Sequence, residues 1–341
     1  MTILLTGASG LLGANIAHEL HRRGHSIRIL ARAGADLRAI AGLPFEWVKG
    51  DISDHIAVQQ ALEGCEAVIH SAALTGPAPS EYSYYEAVNL QGTIHLAEAA
   101  LQQGVKRFVY VSTANTIGYG DQTCPGDEWS EFSLFRYNSG YINSKFLAQQ
   151  YVLEQAAQKR LPAIVVNPSF MIGRYDSKPS SGRIILMGLK SRIQLCPPGG
   201  KSFVAVRDVA FGVCQALTEG QTGECYLLTG ENMTYKQFFQ TLNKVTGHRA
   251  IQVVLPWWLI LGLAYLLASL ARFKIGPEEL SPVNARLACL GLYYSPEKAI
   301  RELGMPQTPI REAIREAVSW FAVAGMSPLK MRQAGYIQPA M

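Results

Sequence analysis

Charge is what this sequence has least of. Asp, Glu, Lys and Arg make up only 17% of its 341 residues, where about 25% is usual for a soluble domain. With 48% hydrophobic residues and a mean hydropathy of +0.08, the chain has ample apolar surface to bury, which excludes a disordered polymer. The formal net charge of +5 contains no basic run, only pairs such as Arg22-Arg23 and Lys106-Arg107. A nucleic-acid groove, which needs clustered Lys and Arg with interleaved aromatics, is therefore not expected. The surplus suits a phosphate-bearing small ligand or an anionic surface. Cysteine is also sparse. Cys65, Cys124, Cys196, Cys214, Cys225 and Cys289 form no Cys-x-x-Cys pair, so no metal site or redox motif is expected and a reducing compartment is indicated. Met1-Thr-Ile-Leu-Leu-Thr-Gly7 lacks a basic segment, apolar core and cleavage site, which points to a cytoplasmic protein without a signal peptide.

What is present is alternation. Short β-branched runs at Thr2–Thr6, Ser26–Ala31, Glu46–Lys49, Ala67–His70, Arg107–Ser112 and Ala163–Asn167 read as strands. Helical stretches lie between them, at Leu11–Arg23, Asp54–Leu62, Tyr84–Gln102 and Asn138–Lys159. That order predicts right-handed βαβ crossovers and an α/β fold, a doubly wound parallel sheet of Rossmann type. After about Gly173 the rhythm breaks at the Ser/Pro/Gly-rich stretch 176–182. The reading is a dinucleotide-binding domain over 1–172 and a smaller, mostly helical substrate lobe over 173–330. A strand and helix near 202–219 are expected to return to the first domain, and a strand near Cys225–Thr229 is assigned to the lobe.

The first βα turn holds Thr6-Gly7-Ala8-Ser9-Gly10-Leu11-Leu12-Gly13. Gly7, Gly10 and Gly13 permit a tight turn and close backbone approach to a pyrophosphate. The helix opening at Leu11 and Leu12 offers unpaired N–H groups. At the tip of the second strand an NAD-selective site would carry Asp or Glu; here Ala31 stands there and Arg32 follows, a pair suited to a 2′-phosphate. Arg38 is placed to assist, and Asp36 reads as a helix N-cap. NADP is therefore favoured over NAD. Asp51 and Ile52, after the third strand, are placed at the adenine edge. Ala72 and Ala73, after the fourth, leave room for the dinucleotide backbone. His70 reads as a packed strand-end histidine rather than an acid or base.

Tyr141-Ile-Asn-Ser-Lys145 puts a phenol and an ammonium on one helix face. A nearby cation is expected to lower the phenol pKa and make Tyr141 a proton donor or acceptor for a carbonyl–alcohol pair. A second Tyr-x-x-x-Lys, Tyr294–Lys298, contains Pro296, which begins a helix at that point and separates the two side chains. Thr113, at the end of the fifth strand, is placed to hydrogen-bond the substrate oxygen, with Ser112 as its competitor. Asn89 is assigned a structural hydrogen-bonding role ahead of a proton relay.

Together, Thr6–Gly13, Asp51, Asn89, Phe108–Thr113, Tyr141–Lys145 and Asn167-Pro168 resemble the extended short-chain dehydrogenase/reductases of the NAD-dependent epimerase/dehydratase family. Gly24–Arg32 and Val166–Gly173 bring the likeness closest to dihydroflavonol-reductase-like proteins, hopanoid-associated sugar epimerases and 3β-hydroxysteroid dehydrogenases. The resemblance implies Thr113, Tyr141 and Lys145 as the catalytic set and Arg32 as the 2′-phosphate ligand. It also implies that the segment beginning at Pro168 lines the nicotinamide. Arg207 departs from the family, where an acid or His is common. The expected reaction is NADPH-dependent reduction of a ketone, or its reverse, on a lipid, steroid-like or flavonoid-like substrate. A nucleotide-sugar epimerase or dehydratase with tightly held NAD, using Arg183 and Arg192 on the diphosphate, is the alternative. A homodimer is expected.

The apolar surplus concentrates in Ala250–Ala271, which has no charge. Ile251–Leu255 reads as a strand ended by Pro256, followed by a helix over Trp257–Phe273 with Arg272 and Lys274 at its end. Three readings stand: a helix packed in the substrate lobe or at a dimer contact, a membrane-surface anchor over 256–273 with Trp257, Trp258 and Tyr265 at the interface, and a true span.

Overall fold

The computed structural model describes residues 1–76, 81–271 and 281–326. Its first half alternates β1 (Thr2–Thr6), α1 (Leu11–Arg22), β2 (Ser26–Ala31), β3 (Glu46–Lys49), α2 (His55–Leu62), β4 (Ala67–His70), α3 (Tyr82–Tyr85), α4 (Gly92–Gln102), β5 (Arg107–Val111), α5 (Gly140–Ala157) and β6 (Ala163–Pro168). A π-helical turn over Glu86–Gln91 joins α3 to α4. Then follow β7 (Phe170–Ile172), α6 (Arg183–Lys190), β8 (Ile193–Cys196), β9 (Gly200–Ala205), α7 (Val206–Glu219), β10 (Cys225–Leu228), β11 (Glu231–Thr234), α8 (Tyr235–Thr246), β12 (Ile251–Val254), α9 (Trp257–Ala271), α10 (Pro282–Ala288), β13 (Gly291–Leu292), α11 (Glu297–Leu303) and α12 (Ile310–Val323).

Seven strands form one sheet in the order β3-β2-β1-β4-β5-β6-β10, every pairing parallel. Period-2 alternation divides the buried strand residues between two cores. Ile3, Leu5 and Val109 join the core of α1 and α7. Leu4, Val68 and Phe108 join that of α2, α4 and α5. β1 pairs with β2 on one side and β4 on the other, so the chain reverses its winding there and opens a crevice at their C-terminal ends.

Two expectations change. The Cys225–Leu228 strand, assigned from sequence to the smaller lobe, pairs with β6 and closes the large sheet. Helix α7 lies against α1 in the same core, whereas the strand before it, β9, belongs to a separate four-stranded sheet with β7, β11 and β13. That small sheet packs against α6, α8 and α12 through Phe203, Phe238, Ile185 and Phe321. Beyond it, β8 and β12 form a two-stranded parallel ribbon. Residues 272–274, the end of the helix expected over Trp257–Phe273 and its flanking cations, lie outside the described residues. Among the described residues no helix is long and apolar enough to cross a membrane.

Candidate active site

The crevice at the winding reversal is shaped by glycines with different duties. Gly7 has φ +78, and a Cβ there would lie 2.6 Å from the Ala72 nitrogen. A Cβ on Gly13 would lie 2.1 Å from the Gly7 carbonyl oxygen. Those two glycines let β1, α1 and the end of β4 pack together. Gly10 is different: a Cβ there would meet only the Gly7 oxygen, at 3.4 Å. It is the exposed N-cap of α1, no side chain caps the helix, and no acid occupies the first turn. The amides of Leu11, Leu12 and Gly13 therefore face the crevice side of an uncapped helix start, an arrangement that fits a pyrophosphate.

The end of β4 is tied to this loop through neutral imidazole. Thr6 Oγ1 lies 2.7 Å from His70 Nδ1 and accepts the Ala72 amide at 3.2 Å. Thr93 Oγ1 lies 3.0 Å from His70 Nε2 and donates to the Asn89 carbonyl at 2.6 Å. With the Thr93 proton committed, the network assigns the ring proton to Nε2, and Nδ1 accepts from Thr6. Burial, aided by the neighbouring Lys145 charge, pushes the His70 pKa down to about 3. His70 is thus a satisfied structural histidine. Ala72 and Ala73 continue from it along the crevice.

Helix α5 carries the candidate reactive face. Ser139 caps it, accepting the Ile142 amide, and Tyr141, Lys145 and Gln149 follow at four-residue intervals. Lys145 is 1% exposed and its Nζ donates to the Val111 carbonyl at 2.7 Å, 4.1 Å from the centroid of the Tyr110 ring. Burial among these groups brings its ammonium down to about 7. The Thr113 hydroxyl lies near the Tyr141 phenol and acts to lower its pKa. Its pKa moves up, opposite to the sequence expectation, because burial outweighs the influence of Thr113. The phenol is therefore held in its protonated, proton-donating form.

Alternation decides between Ser112 and Thr113. Ser112 turns inward, 3.2 Å from Thr116 Oγ1, which donates to Gln149 Oε1 at 2.8 Å. Asn167 Nδ2 reaches the same oxygen at 2.8 Å and the Thr113 carbonyl at 3.2 Å. This buried network fixes the Thr113 backbone while its hydroxyl faces Tyr141. Gln149 and Thr116 were not singled out in the sequence; the i+8 spacing of Gln149 from Tyr141 was the available signal. Asn89 has the structural role expected of it. It takes the Leu74 amide at 2.7 Å, donates to the Leu74 carbonyl at 3.1 Å and to Ser144 at 3.0 Å, which ties the π-helical turn to α5. Pro168 ends β6 at the same sheet edge, and the next residue, Ser169, has a buried hydroxyl without a partner.

At the far end of the crevice Arg32 projects from the tip of β2, its side chain 81% exposed and 3.9 Å from Asp51. Asp51 accepts from the Ser53 amide and hydroxyl, and Ile52 beside it is buried against α2 and α4. Arg38 does not join Arg32. Asp36 grips its guanidinium at 2.8 and 2.9 Å, and this pairing draws the Asp36 carboxyl down to about 2. Nor is Asp36 an N-cap, since the short 3-10 turn over Arg38–Ile40 starts after Leu37. Arg207 is spent on packing: it bridges Thr308 on the approach to α12 with Glu312 and Glu316 within it. Tyr294 and Lys298 are separated as expected. Tyr294 is buried with its hydroxyl 3.4 Å from Asn115, and Lys298 pairs with Glu224.

Residues 3–228 match the model of the NAD dependent epimerase/dehydratase family. The chain is 34% identical over 330 residues to sterol demethylase protein B of Methylococcus capsulatus, covering 96% of this chain and 100% of that protein. It is 28% identical to a 3-beta-hydroxysteroid dehydrogenase of Mycolicibacterium neoaurum, with 94% and 91% covered. Among solved structures, that of gox2253 superposes with a TM-score of 0.83 at 32% identity, over 96% of this chain and 99% of that one.

Proposed function

The chain belongs to the NAD dependent epimerase/dehydratase family as an NAD(P)-dependent oxidoreductase of the extended short-chain dehydrogenase/reductase type, and from that premise we propose that it reduces a ketone to a secondary alcohol on a hydrophobic substrate with NADPH. One observation carries the reading: Tyr141 and Lys145 share one face of α5 at the sheet edge where Thr113 follows β5, with Lys145 anchored on the Val111 carbonyl and Thr113 near enough to act on the phenol. The bound cofactor supplies the hydride received by the carbonyl carbon. Tyr141 donates its phenolic proton to the carbonyl oxygen, and Thr113 orients that oxygen and stabilises the charge gathering on it. Lys145 spends one N–H on Val111, which leaves two for the nicotinamide ribose and the phenol. Gly10, Leu11, Leu12 and Gly13 receive the pyrophosphate, and Asp51 and Ile52 border the adenine. Ala31 and Arg32 support NADPH over NADH, because the strand tip carries an exposed guanidinium, 3.9 Å from Asp51, and ends in Ala31 where an acid would take a ribose 2′-hydroxyl.

The apolar side of the substrate is supported by what surrounds Tyr141. Ile117, Leu134, Ile142, Leu287 and Leu292 share its cluster, and two of the relatives are named as a sterol demethylase protein and a 3-beta-hydroxysteroid dehydrogenase. The test is NADPH oxidation across long-chain 3-oxo lipids, steroids, flavonoid-like ketones and nucleotide sugars. Turnover of an apolar ketone, with Tyr141→Phe lowering kcat by about 10²–10⁴-fold and NADPH binding retained, supports the assignment. Unchanged turnover in Tyr141→Phe refutes the mechanism. Interconversion of a nucleotide sugar by co-purified, non-exchanging NAD, without net NADPH consumption, replaces the reductase with an epimerase.

A further inference from the structure

The ribbon of β8 and β12 is built inside out. In-register pairing sets Ile251 beside Ile193, Gln252 beside Gln194 and Val253 beside Leu195. The glutamines face the protein. Gln194 is buried and donates to the Gly188 carbonyl and to Asn243 Oδ1, both at 3.0 Å, while accepting from Gln252 at 2.8 Å. The aliphatic partners face out: Ile193, Leu195 and Ile251 are 57, 56 and 70% exposed. A half-buried ribbon ordinarily turns its aliphatic side inward, so an outward apolar side needs an occupant. Helix α9 follows β12 after Leu255 and Pro256. Trp257 and Trp258 are 60 and 61% exposed, Leu259, Leu263 and Leu266 are exposed too, and Ala264 is fully buried. Its 15 described residues span about 22 Å, short of a bilayer core of about 30 Å.

The charge pattern selects the occupant. Neither Ser177–Arg207 nor Asn232–Pro277 contains an Asp or Glu, and the ribbon brings these two stretches together. Lys190 and Arg192 lead into β8, and Arg249 leads into β12. All three are exposed and none pairs with a carboxylate among the described residues. A second copy docking by two-fold symmetry would set these cations against their own equivalents. Anionic headgroups would neutralise them, and paired tryptophans at the start of an apolar helix suit the boundary between headgroup and acyl chain.

We propose that the β8–β12 ribbon and α9 dock this protein on an anionic bilayer surface, with the aliphatic and tryptophan side chains in the acyl boundary and Lys190, Arg192 and Arg249 on the headgroups. Helix α10 links this surface to the site. Arg286 on α10 bonds the Tyr265 hydroxyl of α9, and Val283 and Leu287 pack in the cluster that holds Tyr141. Docking therefore sets lipid one helix away from the reactive phenol. Only this consequence rests on the proposed reaction; the docking does not.

The experiment is flotation of the full chain with vesicles of phosphatidylcholine alone, or with about one third phosphatidylglycerol. Expected is binding to the anionic vesicles that weakens with salt, with a blue shift of tryptophan emission. Trp257→Ser with Trp258→Ser, and separately Arg192→Glu with Arg249→Glu, should each cut binding by about tenfold or more. Melting temperature and NADPH affinity should stay unchanged, which separates failed docking from failed folding and from a wrong cofactor assignment. No flotation with anionic vesicles overturns the proposal, as does flotation insensitive to both variants. A wild-type dimer that the tryptophan variants convert to monomer, without vesicle binding, assigns the surface to a second copy and equally overturns it.

Discussion

Lys145→Met tests the electrostatics of the site without any substrate. The ammonium has an ordinary pKa of 10.5 and is brought down to about 7 by burial. The folded state therefore binds fewer protons than the unfolded state between these values, and stability rises with pH across that window. In full, the cost of burying Lys145 applies below about pH 7, shrinks as pH climbs, and vanishes above about 10.5. From these two pKa values the cost is about 4 kcal/mol at pH 7 and about 2 kcal/mol at pH 9. The side chain is 1% exposed, so solvent screening does not reduce it. The expected result is that Lys145→Met gains about 2 kcal/mol more over wild type at pH 7 than at pH 9. Losing the bond to the Val111 carbonyl affects both pH values equally. Lys201, held at about 8 by burial, titrates in both proteins and cancels. Urea unfolding of the cofactor-free proteins at the two pH values measures the difference. A Lys145→Met effect that is the same at both, within about 0.5 kcal/mol, means that the folded state keeps Lys145 charged with a near-normal pKa and refutes the reasoning.

The glycine geometry predicts opposite phenotypes for neighbouring substitutions. Gly13→Ala drives a Cβ into the Gly7 backbone and should lower stability by about 1–3 kcal/mol, read as a fall in Tm. Gly10→Ala meets no closer protein atom than 3.4 Å; Tm should hold while NADPH affinity falls by about tenfold, read by fluorescence titration. An unchanged affinity in Gly10→Ala takes the pyrophosphate away from this helix start. Arg32→Asp removes the exposed guanidinium at the β2 tip and should weaken NADPH by about 1.5–3 kcal/mol relative to NADH; a constant NADPH/NADH affinity ratio rules out Arg32 as the 2′-phosphate ligand.

Much of the dinucleotide half was legible because its signals are local. β1, β2, β3 and β4 run over the residues at which their β-branched runs begin and end. The glycine spacing marked the loop, and Tyr141 and Lys145 share a face because four residues are about one helical turn. The strand Cys225–Leu228 was misplaced because nothing in four apolar residues states which distant edge they complete; β6 was waiting, and pairing decided it. Arg38 and Arg207 look in sequence like any ligand-seeking cation, but Asp36 and Glu316 occupy them.

The sequence by itself determined the alternating fold, the glycine turn between β1 and α1 and the shared helix face of Tyr141 and Lys145, since each depends on spacing along one strand or one helix. Only the tertiary structure decided how those groups behave. Burial, which no linear pattern expresses, raises Tyr141 instead of lowering it, brings Lys145 toward neutrality and silences His70. The same holds for the scarcity of charge. The sequence located the apolar surplus near 250–271; pairing of β12 with β8 then turned its glutamines inward and its aliphatic side chains outward, because the amides of Gln194, Gln252 and Asn243 satisfy one another and leave the apolar side facing out.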